Sequence, residues 1–155
     1  MPRYVKQRDE YSCAPVALLN LCKWAGVSCA YDSERYRWIK TRCNCKPFHG
    51  SPDPFIYATL LALAREYNWA VRFRKDVTVA QIKVELEKGN AVLCCFEYDD
   101  GDDHIALITS YGTRGFLAVN WWIRKRTVKL VPWDVVKKTR RRKPFTCWFV
   151  RMKGN

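Results

Sequence analysis

The order of two hydrophobic periodicities constrains this chain's fold more than any other feature. Up to about residue 67 apolar side chains recur at helical spacing, and from residue 69 onward most of the chain alternates as strands do. Ser12 to Ala25 reads as the first helix, with Ser12 as its cap, Pro15 in a first turn where its missing N–H costs nothing, and Gly26 at the stop. A short second helix follows a cap at Asp32 or Ser33. A third starts at Asp53-Pro54 and runs through Leu60, Leu61, Leu63 and Ala64 to Tyr67, ending at Asn68. Trp69 to Arg74 then alternates like a strand, and Thr78 with Gln81 forms a capping box for a helix that stops at Gly89. Ala91 to Tyr98, His104 to Tyr111, Phe116 to Trp122, Thr127 to Val131 and Thr146 to Met152 read as strands. Helices first and an antiparallel sheet second give an α+β domain, and 155 residues leave no room for a second core, so residues 1–155 are expected to form one domain.

At 48% hydrophobic and 14% aromatic residues the chain can bury enough surface to offset its folding entropy, which excludes a disordered protein. No apolar run reaches the ~20 residues of a membrane span, and the stretch up to Tyr11 is charged where an export signal is greasy. A soluble, cytoplasmic protein is the expectation. The eight cysteines are then expected to be free thiols, because a reducing compartment does not sustain disulfides. The net charge of +13 is densest in Lys137, Lys138, Arg140, Arg141, Arg142 and Lys143. Such a run reads either as a solvated face or as a patch for nucleic acid or an acidic protein.

Cys13 falls in the first turn of the first helix, where unpaired backbone N–H groups and the helix dipole favour a thiolate. A thiol nucleophile needs a proton carrier, and the chain has only His49 and His104. His104 opens an apolar strand that would hold it rigidly, so it is the expected base. A hairpin between the strands from His104 and from Phe116 would bring Asn120 beside the imidazole as its orienting residue. Gln7 can offer its side-chain N–H to the oxyanion of a tetrahedral intermediate, with the Cys13 backbone N–H as second donor.

The segments Gln7-Arg-Asp-Glu-Tyr-Ser-Cys13-Ala-Pro-Val-Ala-Leu, Asp103-His104-Ile-Ala-Leu-Ile and Val119-Asn120-Trp121-Trp122 carry a family likeness. Through them the chain resembles the papain-like cysteine peptidases, most closely the small C39-like branch related to bacteriocin-processing peptidases. The resemblance implies a papain-like fold, with N-terminal helices packed on a C-terminal antiparallel sheet. It also implies Gln7 in the oxyanion hole, Cys13 as nucleophile, His104 as base and Asn120 as orienter, without a cofactor. Trp122 is similar to the tryptophan that shields the Asn to His hydrogen bond in papain. Two positions depart from the C39-like pattern: Ala14 stands where Gly is usual, and Asn120 where Asp is usual. The implied activity is amide-bond cleavage in a peptide or protein substrate. The same machinery also serves deamidation, removal of a ubiquitin-like tag or acyl transfer.

The run Asp99-Asp100-Gly101-Asp102-Asp103 precedes His104, which makes Asp102 and Asp103, with Trp122, the expected substrate-binding residues and favours basic substrates. Cys43, Cys45 and His49, with Cys22 or Cys29, are the alternative zinc ligands, but Cys-x-Cys-x₃-His lacks a second ligand pair, so packed thiols and no metal are expected. The competing functional class is a binding module on an inactive peptidase fold, working through Lys137 to Lys143.

Overall fold

The computed structural model describes residues 2–123 and 127–154. Three helices come first: α1 (Cys13–Trp24), α2 (Glu34–Arg42) and α3 (Asp53–Tyr67). Then follow β1 (Trp69–Val77), α4 (Val79–Glu87), β2 (Ala91–Glu97), β3 (Asp103–Gly112), β4 (Gly115–Val119), β5 (Val128–Pro132), α5 (Trp133–Arg142) and β6 (Phe145–Met152). The strands make one sheet in the order β1-β6-β2-β3-β4-β5, with antiparallel pairing throughout. The α+β architecture of helices on a largely C-terminal antiparallel sheet is therefore present.

Both faces of the sheet are covered, which explains why its central strands read as nearly continuous apolar runs. Leu93, Ile105, Leu107, Trp148 and Val150 face the core made with α1, α2 and α3. Their neighbours Val92, Cys94, Phe96, Ala106, Ile108, Cys147 and Phe149 face a second core with α4 and α5. Each fully buried Leu or Ile contributes about 1.5–3 kcal/mol relative to exposure.

The helix signals hold at most ends. Ser33 accepts from the Tyr36 N–H as N-cap of α2, Thr78 and Gln81 close a reciprocal capping box on α4, and Asn68 ends α3 in the left-handed conformation. Ser12 is an exception, because its side chain makes no cap bond to α1. The carboxylate of Asp9 instead accepts from the Tyr11 and Ser12 N–H groups at 3.0 and 2.7 Å, bringing negative charge to the start of that helix. A second correction concerns the C-terminal third, expected to be mostly sheet. Trp133–Arg142 is helical, beginning directly after Pro132 with Asp134 in its first turn, and it holds most of the basic run. A third is β4, which ends at Val119 rather than Trp122, because Asn120 turns left-handed with φ 55°.

Candidate active site

Cys13 begins α1, partly exposed at the edge of a cleft of about 880 Å³. Its neighbours in that cleft include Tyr11, Tyr98, Trp122, Asp102, Asp103 and His49. The backbone N–H groups of Ile105 and Ala14 reach the sulfur and favour its anionic form, yet desolvation outweighs them and the thiol is pushed up to about 11. Burial thus works against the thiolate that the helix-start N–H groups favour. Cys13 is a protonated thiol at neutral pH.

His104 is 3% exposed and begins the inner part of β3, paired across the strands with Phe96. The Phe96 ring meets it edge-on at 5.4 Å and the Tyr98 ring stacks on it at 4.9 Å. Burial pushes the imidazole down to about 4, against the raising effect of its bond to the Asn120 carbonyl, so it too is neutral. His104 Nε2 lies 2.6 Å from that carbonyl oxygen. A carbonyl can only accept, so Nε2 carries the proton and Nδ1 is left as the basic nitrogen.

Asn120 is therefore beside His104, through its main chain rather than its side chain. Its Nδ2 donates instead to the Val5 carbonyl at 3.0 Å. The buried Asn20 on α1 exchanges two bonds with the same residue, 2.8 Å from the Val5 N–H and 3.0 Å to the Val5 carbonyl. Two asparagines, one from the first helix and one from beyond β4, thus fasten the segment that carries Gln7. Gln7 is buried and its Nε2 donates to the Asp9 carbonyl at 2.6 Å. One N–H of that amide is used by the loop, while Gln7 Oε1 is buried without a partner.

Among the described contacts no hydrogen bond joins Cys13 to His104. What links them is the chain: the Ile105 N–H that reaches the Cys13 sulfur belongs to the peptide bond that follows His104. Asp102, Asp103 and Trp122 line the same cleft as Cys13, and His49 lines it too, as an exposed residue on the rim. Phe96 and Tyr98 cover His104, with Trp121 stacked on Phe96 at 4.1 Å. Tyr98 is pinned by its hydroxyl, which donates to the Trp121 carbonyl.

Sequence reasoning did not single out Tyr98, Phe96 or Asn20. The strand alternation placed Phe96 and Tyr98 two residues apart on one face, and that was the available signal for the pair. Nothing local marks Asn20. Phe48 was missed as well: it sits on the rim, 94% exposed, at φ 65°, in a tight turn closed by a bridge between Lys46 and Gly50. A bulky residue in the left-handed region is uncommon.

The basic run turns toward its own chain. Arg142 pairs with Asp99 and donates to the Glu97 carbonyl at 2.7 Å, Lys143 reaches Asp103 at 2.7 Å, and Lys138 lies 3.9 Å from Asp99. Arg140 pairs with Asp76 at 3.2 Å. The cysteines are free thiols, and no group of three or more His, Cys, Asp or Glu among the described residues could hold a metal. Cys22 instead donates to Cys29, pulling the Cys29 thiol down, and Cys45 meets the Tyr11 carbonyl at 3.5 Å. No helix among the described residues is long and apolar enough to cross a membrane.

No family model and no curated protein sequence matches the chain. Its fold is nevertheless that of a solved peptidase domain, from Streptococcus ComA, a bi-functional ABC transporter involved in a quorum-sensing pathway. The two superpose with a TM-score of 0.61 over 95% of this chain and 94% of that one, at 12% sequence identity.

Proposed function

We propose that this protein is a cysteine peptidase acting by acyl transfer. Cys13 is its nucleophile, His104 its base, and the Asn120 carbonyl the group that orients His104. The observation that carries the reading is a first-turn cysteine whose sulfur is met by the backbone N–H groups of Ala14 and of Ile105, the residue that follows a buried, Asn120-bonded His104 in the chain. The shared fold with a peptidase domain supports it.

In the resting site both partners are neutral, so the thiolate forms as substrate enters. The Cys13 proton passes to His104 Nδ1, and the sulfur attacks the carbonyl carbon. The new oxyanion is met by the Cys13 N–H and the free N–H of Gln7, worth about 10²–10³ in rate per donor. His104 then returns its proton to the leaving amine, and water resolves the thioester. Catalytic hydrogen bonds that are long in a free enzyme commonly tighten in the Michaelis complex. Asp100 and Asp102 supply negative charge along the cleft, beside an Asp103 already paired with Lys143, which suits peptides with basic residues flanking the cleaved bond, and Phe48 and Trp122 supply apolar surface.

The test is digestion of a peptide library read by mass spectrometry. Cleavage products that vanish in Cys13→Ala, with an unchanged circular-dichroism melt, are expected. Products that persist in Cys13→Ala overturn the assignment. No cleavage by the wild-type protein, while another amide-transfer product appears, would redirect it to deamidation or acyl transfer.

A further inference from the structure

On the opposite face from α1 the β1 edge of the sheet is only partly covered. Helix α4 packs over β2 and β3, and Arg72, Arg74 and Arg151 at that edge stay exposed beside it. Two adjoining cavities of about 370 and 330 Å³ lie there, sharing Arg72, Glu85 and Phe149 in their walls. Lys88, Asn90 and Arg151 complete one, and Arg74 and Gln81 belong to the other.

The groove has a built floor. Gly89, at φ 77°, closes α4 in a Schellman motif in which its N–H bonds the Leu86 carbonyl and the Asn90 N–H bonds the Glu85 carbonyl. This fixes Asn90, 7% exposed, against Glu85, 6% exposed, with Asn90 Nδ2 donating to Glu85 Oε2 at 2.7 Å. Arg72 and Lys88 bond the other carboxylate oxygen at 2.6 and 3.1 Å. Burial would raise the Glu85 carboxyl, but Asn90, Lys88 and Arg72 together hold it below its ordinary value, so one negative charge answers two cations there. Arg74 and Arg151 make no ion pair among the described residues. The groove is net positive, and the buried Oδ1 of Asn90, which can only accept, has no partner.

We propose that this groove binds an extended acidic peptide segment of a partner protein. Same-face residues on a strand repeat about every 7 Å, so carboxylates at alternate positions of such a segment would meet Arg72 and Arg74 in turn. β1 is an edge strand, open to main-chain pairing with an added strand. The open edge selects a peptide, whose backbone supplies both the N–H and the C=O groups that pair with β1, over DNA, whose sugar-phosphate backbone supplies no N–H donor. The Phe149 ring is buried, with the Arg72 guanidinium over it at 5.3 Å, so it leaves no aromatic platform for a base.

Fluorescence anisotropy on the full chain tests this, with labelled short peptides of alternating Glu and Val, or of Gln and Val, and single-stranded DNA of matched charge. The Glu-Val peptide is expected to bind more tightly than the other two and to protect the β1 amides from hydrogen exchange. Its affinity should drop about tenfold or more in Arg74→Glu/Arg151→Glu, for loss of charge-assisted contacts, and hold in Lys137→Glu/Arg141→Glu on α5. Melting curves should show all variants folded. Absent binding, equal binding of the Gln-Val peptide, tighter binding of DNA, equal loss in the α5 variant, or unprotected β1 amides each overturn the proposal. None of these readouts depends on Cys13, so the result stands apart from the catalytic reading.

Discussion

Asn120 does two things with two different groups, and substitutions can separate them. Its carbonyl accepts from His104 Nε2, and its side chain holds the Val5 carbonyl, both from a left-handed backbone at φ 55°. Asn120→Gly keeps the carbonyl and adopts that conformation without strain, whereas Asn120→Ala keeps the carbonyl but adds roughly 1–2 kcal/mol of backbone cost. Turnover should therefore survive better in Asn120→Gly than in Asn120→Ala; equal, near-complete loss in both would make the side chain the orienter. The buried imidazole also ties stability to pH. Its folded pKa of about 4 lies below the ordinary 6.5, so the unfolded chain binds a proton that the folded chain refuses. Stability should be full above pH 6.5 and fall as pH drops toward 4, by about 3 kcal/mol in total. A chemical-denaturation series across that window should show the loss, and His104→Asn should remove most of it. Thiol reactivity gives a third check. With Cys13 held at about 11, its alkylation by iodoacetamide should climb about tenfold per pH unit from 8 to 10, while Cys29 reacts first at neutral pH. Rapid, pH-independent labelling of Cys13 would mean the resting thiolate exists after all.

Among the elements, α5 links the basic run to the turn that leads into β3. Arg142 and Lys143 hold Asp99, Glu97 and Asp103 around the turn before His104. These are mostly exposed pairs, worth little each to global stability. Their effect should be local: Arg142→Ala/Lys143→Ala is expected to speed hydrogen exchange in residues 98–103 and leave the melting temperature within about 2–4 °C. A large drop in melting temperature would make the clasp part of the core instead. The same element shows where the sequence stops being readable. The capping box at Thr78, the left-handed end at Asn68 and the strand alternation of β1, β2 and β3 are local signals, and each is legible from neighbouring residues. α5 is not, because its apolar face is short and its cations answer Asp76, Asp99 and Asp103, distant in sequence. The site divides in the same way. Cys13 and His104 announce themselves by chemistry and position. The Asn120 main-chain contact, the Tyr98 cover and the Asn20 clamp on Val5 depend on a strand ending early and on contacts across the fold, which no spacing encodes.

Across the whole molecule, the sheet carries chemistry on its ends and faces while the two cores hold it. Cys94 and Cys147 lie directly opposite one another on β2 and β6 as buried free thiols, so nothing covalent is asked to hold the strands together. Melts with and without reductant should coincide. The central claim is that one cysteine of eight is a nucleophile served by His104. A peptidyl vinyl sulfone carrying a basic residue, followed by tryptic peptide mapping, tests that most directly, because a substrate-like electrophile draws on the catalytic machinery as well as on exposure. The account predicts saturable, single modification at Cys13 in preference to the partly exposed Cys29, Cys45 and Cys95, with the rate falling by about 10²-fold or more in His104→Ala. Modification spread over those cysteines, or a Cys13 rate unchanged in His104→Ala, would contradict it.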